Sequence, residues 1–406
     1  MGLTCLKPDQ THVNPMSTSD RKAIQSIENV RVAARRVGRK VPYLRDNPRR
    51  LEREAGKAAA RLGSPDFKVG TPGLIRKVKP DGTKRSIHRF SVSDRIAFRA
   101  VFEVLWLRLE PFVIPAICYC TFNRETGTHP PRGVPAAHKR LAELRRTRGS
   151  WILKVDIEKF YNKVPRVELC KVLRALLIDS DAADLAEAVL EVPLPTCVLS
   201  PEERDLLSDG VAQGAATSPL FACLYLRSFD QFLEKGDRFA IRFVDDIVVA
   251  CSSESEAEAM LAQIEAELRR RGLSLKSDKT EEVSPVKDIV YLGARITPRG
   301  RIRPTARSWS RLLSQLSARA EKLGHHSDMR VASELAGCCI GWMKARRHYS
   351  FRRSDGRRLS TQMWNAVSQK VPNAQRVRKL VNSASLRIHR RCRSLPEFGN
   401  LLNGLE

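Results

Sequence analysis

Asp245 and Asp246 stand between two apolar arms, FAIRFV and IVVAC, a pattern that reads as a tight hairpin with carboxylates at its tip. A second strand candidate, WILKVDI, carries Asp156 at its end. Between the two, residues 166–190 have helical character, and Pro193, Pro195 and Pro201 mark a loop. A helix is expected to start near Ser218-Pro219 and run through LFACLYLRSFDQFL. After the hairpin, Ser253 and Glu256 have capping-box spacing. Apolar residues then recur at Ala257, Met260, Leu261, Ile264 and Leu268, and Gly272 is a natural end. LSLK and IVYLGARIT read as further strands. Strand, helix, strand–turn–strand, helix, strand is a split βαβ order, and it sets the ends bearing Asp156 and Asp245-Asp246 side by side.

Three carboxylates within reach of one another suit Mg²⁺, which takes oxygen ligands and keeps some waters. Two such ions ~3.5–4 Å apart can activate a 3′-hydroxyl and stabilise a leaving pyrophosphate. Each element alone has a plainer reading. Asp-Asp is common turn chemistry, and an Asp after a strand commonly caps a helix. Their combination, with a Gln-Gly pair at Gln213-Gly214 between them, is what points to metal-dependent catalysis.

Charge points to the partner. The 406 residues hold 72 Lys+Arg and 45 Asp+Glu, a net +27. From Arg301 onward there are 22 basic and 6 acidic residues, or +16, so about a quarter of the chain carries over half of the charge. Such an excess is costly in self-repulsion without a polyanion, and nucleic acid is the expected one. A hydrophobic fraction of 42% excludes a wholly disordered chain. No run approaches the ~18 uncharged apolar residues of a membrane span, and the first residues lack an apolar signal core. The ten cysteines include no C-x-x-C, so thiols in a reducing cytoplasm are expected rather than a zinc site.

Upstream, residues 1–65 read as a basic helical segment, with Asn47 as N-cap and Pro48 in the first helical position. Pro80-Asp81-Gly82 is a turn between two basic strand-like arms, and Ser93 is placed to cap the helix that follows, which Pro111 stops. Residues 126–135 are a Gly- and Pro-rich loop. After residue 300 the chain reads as helical, with Trp309, Trp342 and Trp364 as core and His325-His326 in a loop.

VDIEKFY (155–161), AQGAATSP (212–219), FVDD (243–246), LSLKSDKT (273–280) and YLG (291–293) follow one another in this order. They resemble motifs A to E of reverse transcriptases of the bacterial type, and KPDGTKRSIHRFSVSDRIAFRA (79–100) resembles the finger motifs of the same enzymes. GWMKARRHY, within 309–349, looks like the helical thumb of group II intron enzymes. The resemblance implies an α+β right-hand polymerase. Residues 1–65 would be an N-terminal extension, 66–148 fingers, 149–299 the split βαβ palm and 300–406 a basic helical thumb.

The same resemblance implies roles. Asp156 and Asp245 would bind two Mg²⁺ ions, with Asp246 as a supporting ligand and the Ile157 carbonyl completing the site. Tyr161, five residues after Asp156, stands at the steric-gate position, where a ring would clash with a ribose 2′-hydroxyl. Gln213 would touch the incoming nucleotide, and Gly214 would let backbone approach closely. Lys84 or Arg85 would grip the triphosphate. Lys279 would donate a proton to pyrophosphate. Tyr291, Leu292 and Gly293 would form the primer grip. Phe160 is expected in the core, since its neighbour faces the other way.

Some departures bear on biology. Phe243 stands where many relatives have Tyr, and ICYCTFNRETG (117–127) only loosely echoes the family's template-contacting segment. The Val-Thr-Gly and Asn-Ala signatures of retron enzymes are missing, while Gln213 is kept, unlike in diversity-generating enzymes. Neither a nuclease module nor an RNase H domain is expected after the thumb, since only six carboxylates, badly spaced, remain after residue 300. The expectation is a stand-alone cytoplasmic RNA-directed DNA polymerase. Its partners would be an RNA template, dNTPs and a DNA product, and its role antiphage defence with a noncoding RNA. A template-independent polymerase of the same fold, and a maturase-like RNA-binding protein, are the alternatives.

Overall fold

In a computed structural model, the described residues are 20–78, 82, 84–113, 117–120, 133–148, 151–177, 180–235, 239–323 and 326–351, with positions 361, 364, 375, 376 and 379. Pro80 and Asp81 of the expected turn, residues 121–127, His325 and most of the basic tail lie outside them. The chain divides into two compact units. One comprises Met1–Ile114, Glu158–Phe229 and Arg271–Leu273; the other comprises Pro115–Ile157, Asp230–Arg270 and Ser274–Glu406. Among the described residues, no helix is long and apolar enough to cross a membrane.

The first unit centres on the helix Val92–Leu109, which buries Ile96, Phe98, Val101, Leu105, Trp106 and Leu109 all around its axis. A helix apolar on every side must be surrounded, and helices Ile27–Gly38 and Pro48–Gly63 pack on it. Its buried Glu103 is paired by Arg36 and by Arg99 at 2.5 Å, and its buried Asp94 by Arg61 at 2.8 Å. Asn47 caps the helix that Pro48 begins, as expected. The cap of Val92–Leu109 is Ser91, whose Oγ accepts from Asp94 N. Ser93 lies inside the first turn, its Oγ accepting from Arg61, so the cap falls two residues earlier than expected. Strands β1 (Gly73–Val78) and β2 (Lys84–Arg89) form the basic antiparallel hairpin. The 166–190 stretch is two helices, Arg166–Leu176 and Ser180–Ala188, and a capping box at Ser200 opens the helix Pro201–Ser208 where a loop was expected. The run after Ser218 breaks into Ser218–Tyr225 and Arg227–Glu234, which straddles the two units.

The second unit holds β3 (Trp151–Asp156), β4 (Phe239–Phe243), β5 (Asp246–Cys251) and β6 (Glu281–Val283) in one sheet of order β4-β5-β3-β6, all neighbours antiparallel. Ile152, Leu153, Val155, Ile247, Val248 and Val249 are at most 1% exposed, each worth ~1.5–3 kcal/mol on burial. Helix Glu254–Arg269 packs on β3 and β5. Ser253 caps it, while Glu256 reaches back to the Ser252 N–H at 2.7 Å, one residue short of a closed capping box. LSLK forms no strand; Leu275 makes a single bridge to Ile157, and Glu281–Val283 pairs with β3 instead. Nor does IVYLGARIT extend that sheet. It folds on itself as β7 (Ile289–Tyr291) and β8 (Ala294–Ile296), joined by β9 (Ile302–Pro304) in a second, three-stranded sheet. Helices Ala306–Leu323 and Asp328–Ala345 pack together, and Trp342 and Trp364 are buried in one core with Tyr291, Leu312, Leu316 and Phe351. Trp309 packs against it, 4.8 Å between ring centroids from Trp342.

Candidate active site

In the second unit the register of β3 against β5 sets Asp156 opposite Asp246, the last pair of the ladder. Phe243 pairs with Asp246, leaving Val244 and Asp245 as a two-residue turn. Val244 has φ +63°. A β-branched residue there is a genuine outlier, costing ~1–3 kcal/mol, and such strain persists where the surroundings enforce it. Two contacts do so. The Asp245 carbonyl accepts from Ile157 N at 3.1 Å. The Val244 carbonyl accepts from Arg242 Nη1 at 3.0 Å. Arg242 is itself fully buried and bidentate with Asp230, at 2.6 and 2.5 Å.

The three carboxylates act on one another electrically. Burial first, then the charges of Asp156 and Asp246, push Asp245 up to about 6. Asp246 is pushed up by burial and by Asp156, against the pull of Lys279 and Lys154. Lys279, in the turn Ser277–Lys279, pairs with Asp156 Oδ2. Burial works against its charge, but Asp156 and the other two aspartates outweigh it and raise its affinity for the proton. Tyr291 is fully buried and its hydroxyl donates to the Asp246 carbonyl at 3.4 Å.

Leu292 (φ +46°) and Gly293 (φ +80°) are the two central residues of the β7–β8 turn, a left-handed pair that suits a tight hairpin. The Tyr291 carbonyl can only accept, so His138 Nε2 carries the proton it receives, at 3.0 Å. His138 Nδ1 must then accept from His348 Nε2, also at 3.0 Å. Burial holds both imidazoles down at about 4, with repulsion from His138 adding to the effect at His348.

The first unit gathers another group. Arg85 Nε donates to Gln213 Oε1 at 2.6 Å, Gln213 Nε2 to Asn162 Oδ1 at 2.7 Å, and Asn162 Nδ2 to the Leu206 carbonyl at 3.0 Å. The Leu206 carbonyl fixes the polarity of this chain, since every amide must donate toward it. His88 N donates to the Gln213 carbonyl at 2.9 Å. Gly214 has φ +121°, and a Cβ there would come within 2.7 Å of the His88 carbonyl, so only glycine admits this approach. Of the two basic candidates it is Arg85 that reaches Gln213, while Lys84 is exposed on the same strand. Phe160 is buried, as expected, and Tyr161 is half-buried, but both lie in the short helix Phe160–Lys163 and not on a strand, so the expected strand alternation is not what separates them.

The structure thus brings together Asp156, Ile157, Asp245, Asp246, Lys279 and Tyr291 in one unit, and Arg85, Gln213 and Gly214 in the other. Sequence reasoning missed Arg242, Asp230, Asn162 and His138. One signal was there: an arginine inside the apolar run FAIRF needs a buried partner.

A family model described as reverse transcriptase (RNA-dependent DNA polymerase) matches residues 78–296. No curated protein matches the chain. Among solved structures, apo telomerase from Candida tropicalis is 12% identical, over 84% of this chain and 70% of that chain, with a TM-score of 0.45. Telomerase from Candida albicans in complex with the TWJ fragment of telomeric RNA is 14% identical, over 87% and 67%, with a TM-score of 0.43.

Proposed function

This chain belongs to the reverse transcriptase family, and from that premise we propose that it extends a primer 3′-hydroxyl with dNTPs on an RNA template, using two Mg²⁺ ions held by Asp156 and Asp245. The observation that carries this is the register pair Asp156–Asp246 with Asp245 on the adjoining turn, close enough that, on top of burial, the charges of Asp156 and Asp246 raise the proton affinity of Asp245. An oxygen-only donor set suits a hard cation such as Mg²⁺, with Asp246 and the Ile157 carbonyl as supporting ligands. Bound there, the ions would supply Lewis-acid activation of the hydroxyl and charge stabilisation of the leaving pyrophosphate.

The remaining roles belong to the protein's own groups. Lys279 Nζ is held protonated by the carboxylates around it, so it has a proton to give to pyrophosphate. Arg85 would grip the triphosphate, with Lys84 beside it, and its link to Gln213 ties that grip to the residue that meets the incoming nucleotide. The Tyr161 ring would exclude a 2′-hydroxyl. Tyr291, Leu292 and Gly293 would hold the primer, their turn tethered by His138. The net +27 supports backbone contacts to template and product. We place the enzyme in the cytoplasm of a bacterium, acting with a noncoding RNA in antiphage defence.

The test is Mg²⁺-dependent dTTP incorporation on poly(rA)/oligo(dT), wild type against Asp245→Asn. Incorporation by the wild type alone is expected. Equal incorporation by both would remove Asp245 from the metal site. Incorporation by the wild type that persists without poly(rA) would favour the template-independent polymerase. Inactivity of both, with the chain still essential to its host phenotype, would favour the RNA-binding alternative.

A further inference from the structure

Within the second unit the short segment 117–120 runs beside β4. Arg242 N donates to the Ile117 carbonyl at 2.8 Å, and Tyr119 N donates to the Arg242 carbonyl at 2.9 Å. Gly133 N donates to the Tyr119 carbonyl at 2.8 Å. A chain held extended in this way alternates its side chains, so Cys118 and Cys120 face one way and Tyr119 the other. The burial agrees: Cys118 is 0% and Cys120 9% exposed, while Tyr119 is half-buried. Both cysteines are thiols, and their sulfurs lie 3.2 Å apart. The ~2.0 Å of a disulfide bond asks them to approach by about 1 Å. Arg242 Nη1 donates to Cys120 Sγ at 3.9 Å. A guanidinium beside a sulfur favours the thiolate, which is the nucleophilic form. Cys120 is thus the more exposed sulfur of the two and the one in contact with a cation.

We propose that Cys118 and Cys120 are a dithiol oxidised by hydrogen peroxide, a modification site that closes to an intrachain disulfide. Cys120 Sγ, as thiolate, attacks one oxygen of the peroxide. The S–O bond forms, the O–O bond breaks, and the departing hydroxide takes up a proton to leave as water. Cys118 Sγ then loses its proton and attacks the sulfenic sulfur. The S–S bond forms, the S–O bond breaks, and a second water leaves. In all, the two thiols give up two electrons and two protons, and one peroxide is reduced to two waters. A thiol reductant reverses the bond by exchange. In the reduced state Arg242 Nη1 contacts both Cys120 Sγ and the Val244 carbonyl, so the oxidation state of the pair bears on the arginine that holds the Asp245 turn.

The test treats the full chain, reduced and freed of reductant, with hydrogen peroxide in EDTA. Remaining thiols are blocked with N-ethylmaleimide, and the tryptic peptides are weighed. Cys118 and Cys120 fall on one peptide, residues 109–124, with no other cysteine. The expected product is that peptide unblocked and lighter by two hydrogen atoms, formed roughly tenfold faster than the exposed Cys197 is oxidised and restored by dithiothreitol. In Cys118→Ser the same peptide should carry a dimedone adduct on Cys120, because no second sulfur resolves the sulfenic acid. Oxidation of Cys197 while residues 109–124 remain blocked at both cysteines would overturn the proposal, as would a bond from either cysteine to a third. A preference over Cys197 that persists unchanged in a chain first unfolded in urea would also overturn it, since the selectivity is assigned to the folded arrangement. Asp245→Asn leaves these peptides unchanged, which separates this result from the fate of the polymerase reading.

Discussion

Replacing Asp230 by Leu leaves Arg242 buried with its charge and without its partner. The pair is 0% and 1% exposed and doubly hydrogen-bonded, so the loss falls in the range for a broken buried ion pair, ~3–5 kcal/mol. Adding Arg242→Met removes the stranded charge, and apolar replacement of a whole buried pair is often neutral. The double variant is therefore expected to regain most of the lost stability. It does not regain the donor that holds the Val244 carbonyl. A hydrogen bond from a charged group is worth ~1.5–3 kcal/mol, comparable with the ~1–3 kcal/mol of strain at φ +63°. Without it the turn relaxes and Asp245 shifts. A displacement of about 1 Å at a reacting centre can cost ~100-fold. Urea unfolding followed by tryptophan fluorescence reports chiefly on the second unit, which holds Trp151, Trp309, Trp342 and Trp364, and primer extension reports the rate. Stability should fall and return across the pair of variants while the rate falls and stays down. A loss under ~1 kcal/mol for Asp230→Leu, or a double variant that extends primers at the wild-type rate, would refute the reasoning.

Three further outcomes are expected. Asn162→Leu removes the acceptor of Gln213 Nε2 and the donor to Leu206; KM for dNTP should rise up to ~10-fold with a smaller change in kcat, and an unchanged KM would show that Arg85 and Gln213 need no such support. Tyr161→Ala should reduce selection against ribonucleotides by roughly tenfold or more, each factor of ten being ~1.4 kcal/mol, in single-nucleotide incorporation assays; undiminished selection would dismiss the ring as the gate. His138 and His348 sit at about 4 in the fold, below the ~6.5 of an unfolded chain. The unfolded state therefore takes up protons first. The stability these residues contribute is full above pH ~6.5 and falls toward pH ~4, at up to ~1.4 kcal/mol per pH unit per proton. Urea midpoints measured over that window should flatten in His138→Gln, and an unaltered slope would deny the histidines this role.

The carboxylate site was legible because its signals are local. A strand alternates, a hairpin needs a turn, and Asp156, Asp245 and Asp246 all fall at such ends. What escaped depends on distant pairing. Arg242 and Asp230 are twelve residues apart on a strand and a helix, and nothing in FAIRF names the partner. Asn162 lies beside a predicted gate residue, yet its role follows from Leu206 and Gln213, 44 and 51 positions away. The strand at Glu281–Val283 was hidden because two of its three residues are acidic edge residues, whereas LSLK had the right composition and makes only one bridge. Ser93 looked like a cap because composition gives the residue type and not the position; Ser91 holds the extended backbone that capping requires.

The sheet order β4-β5-β3-β6 has a consequence for how the chain is made. β3 pairs only with β5 and β6, both synthesised later. From Asp156 to Cys251 there are 95 residues, about 5–20 s of translation at ~5–20 residues per second. For that interval an apolar strand leaves the ribosome with neither neighbour available. The nascent chain therefore carries its own aggregation window. Slower translation lengthens it, and expression yield should respond to chaperone supply during that interval rather than to the stability of the finished fold.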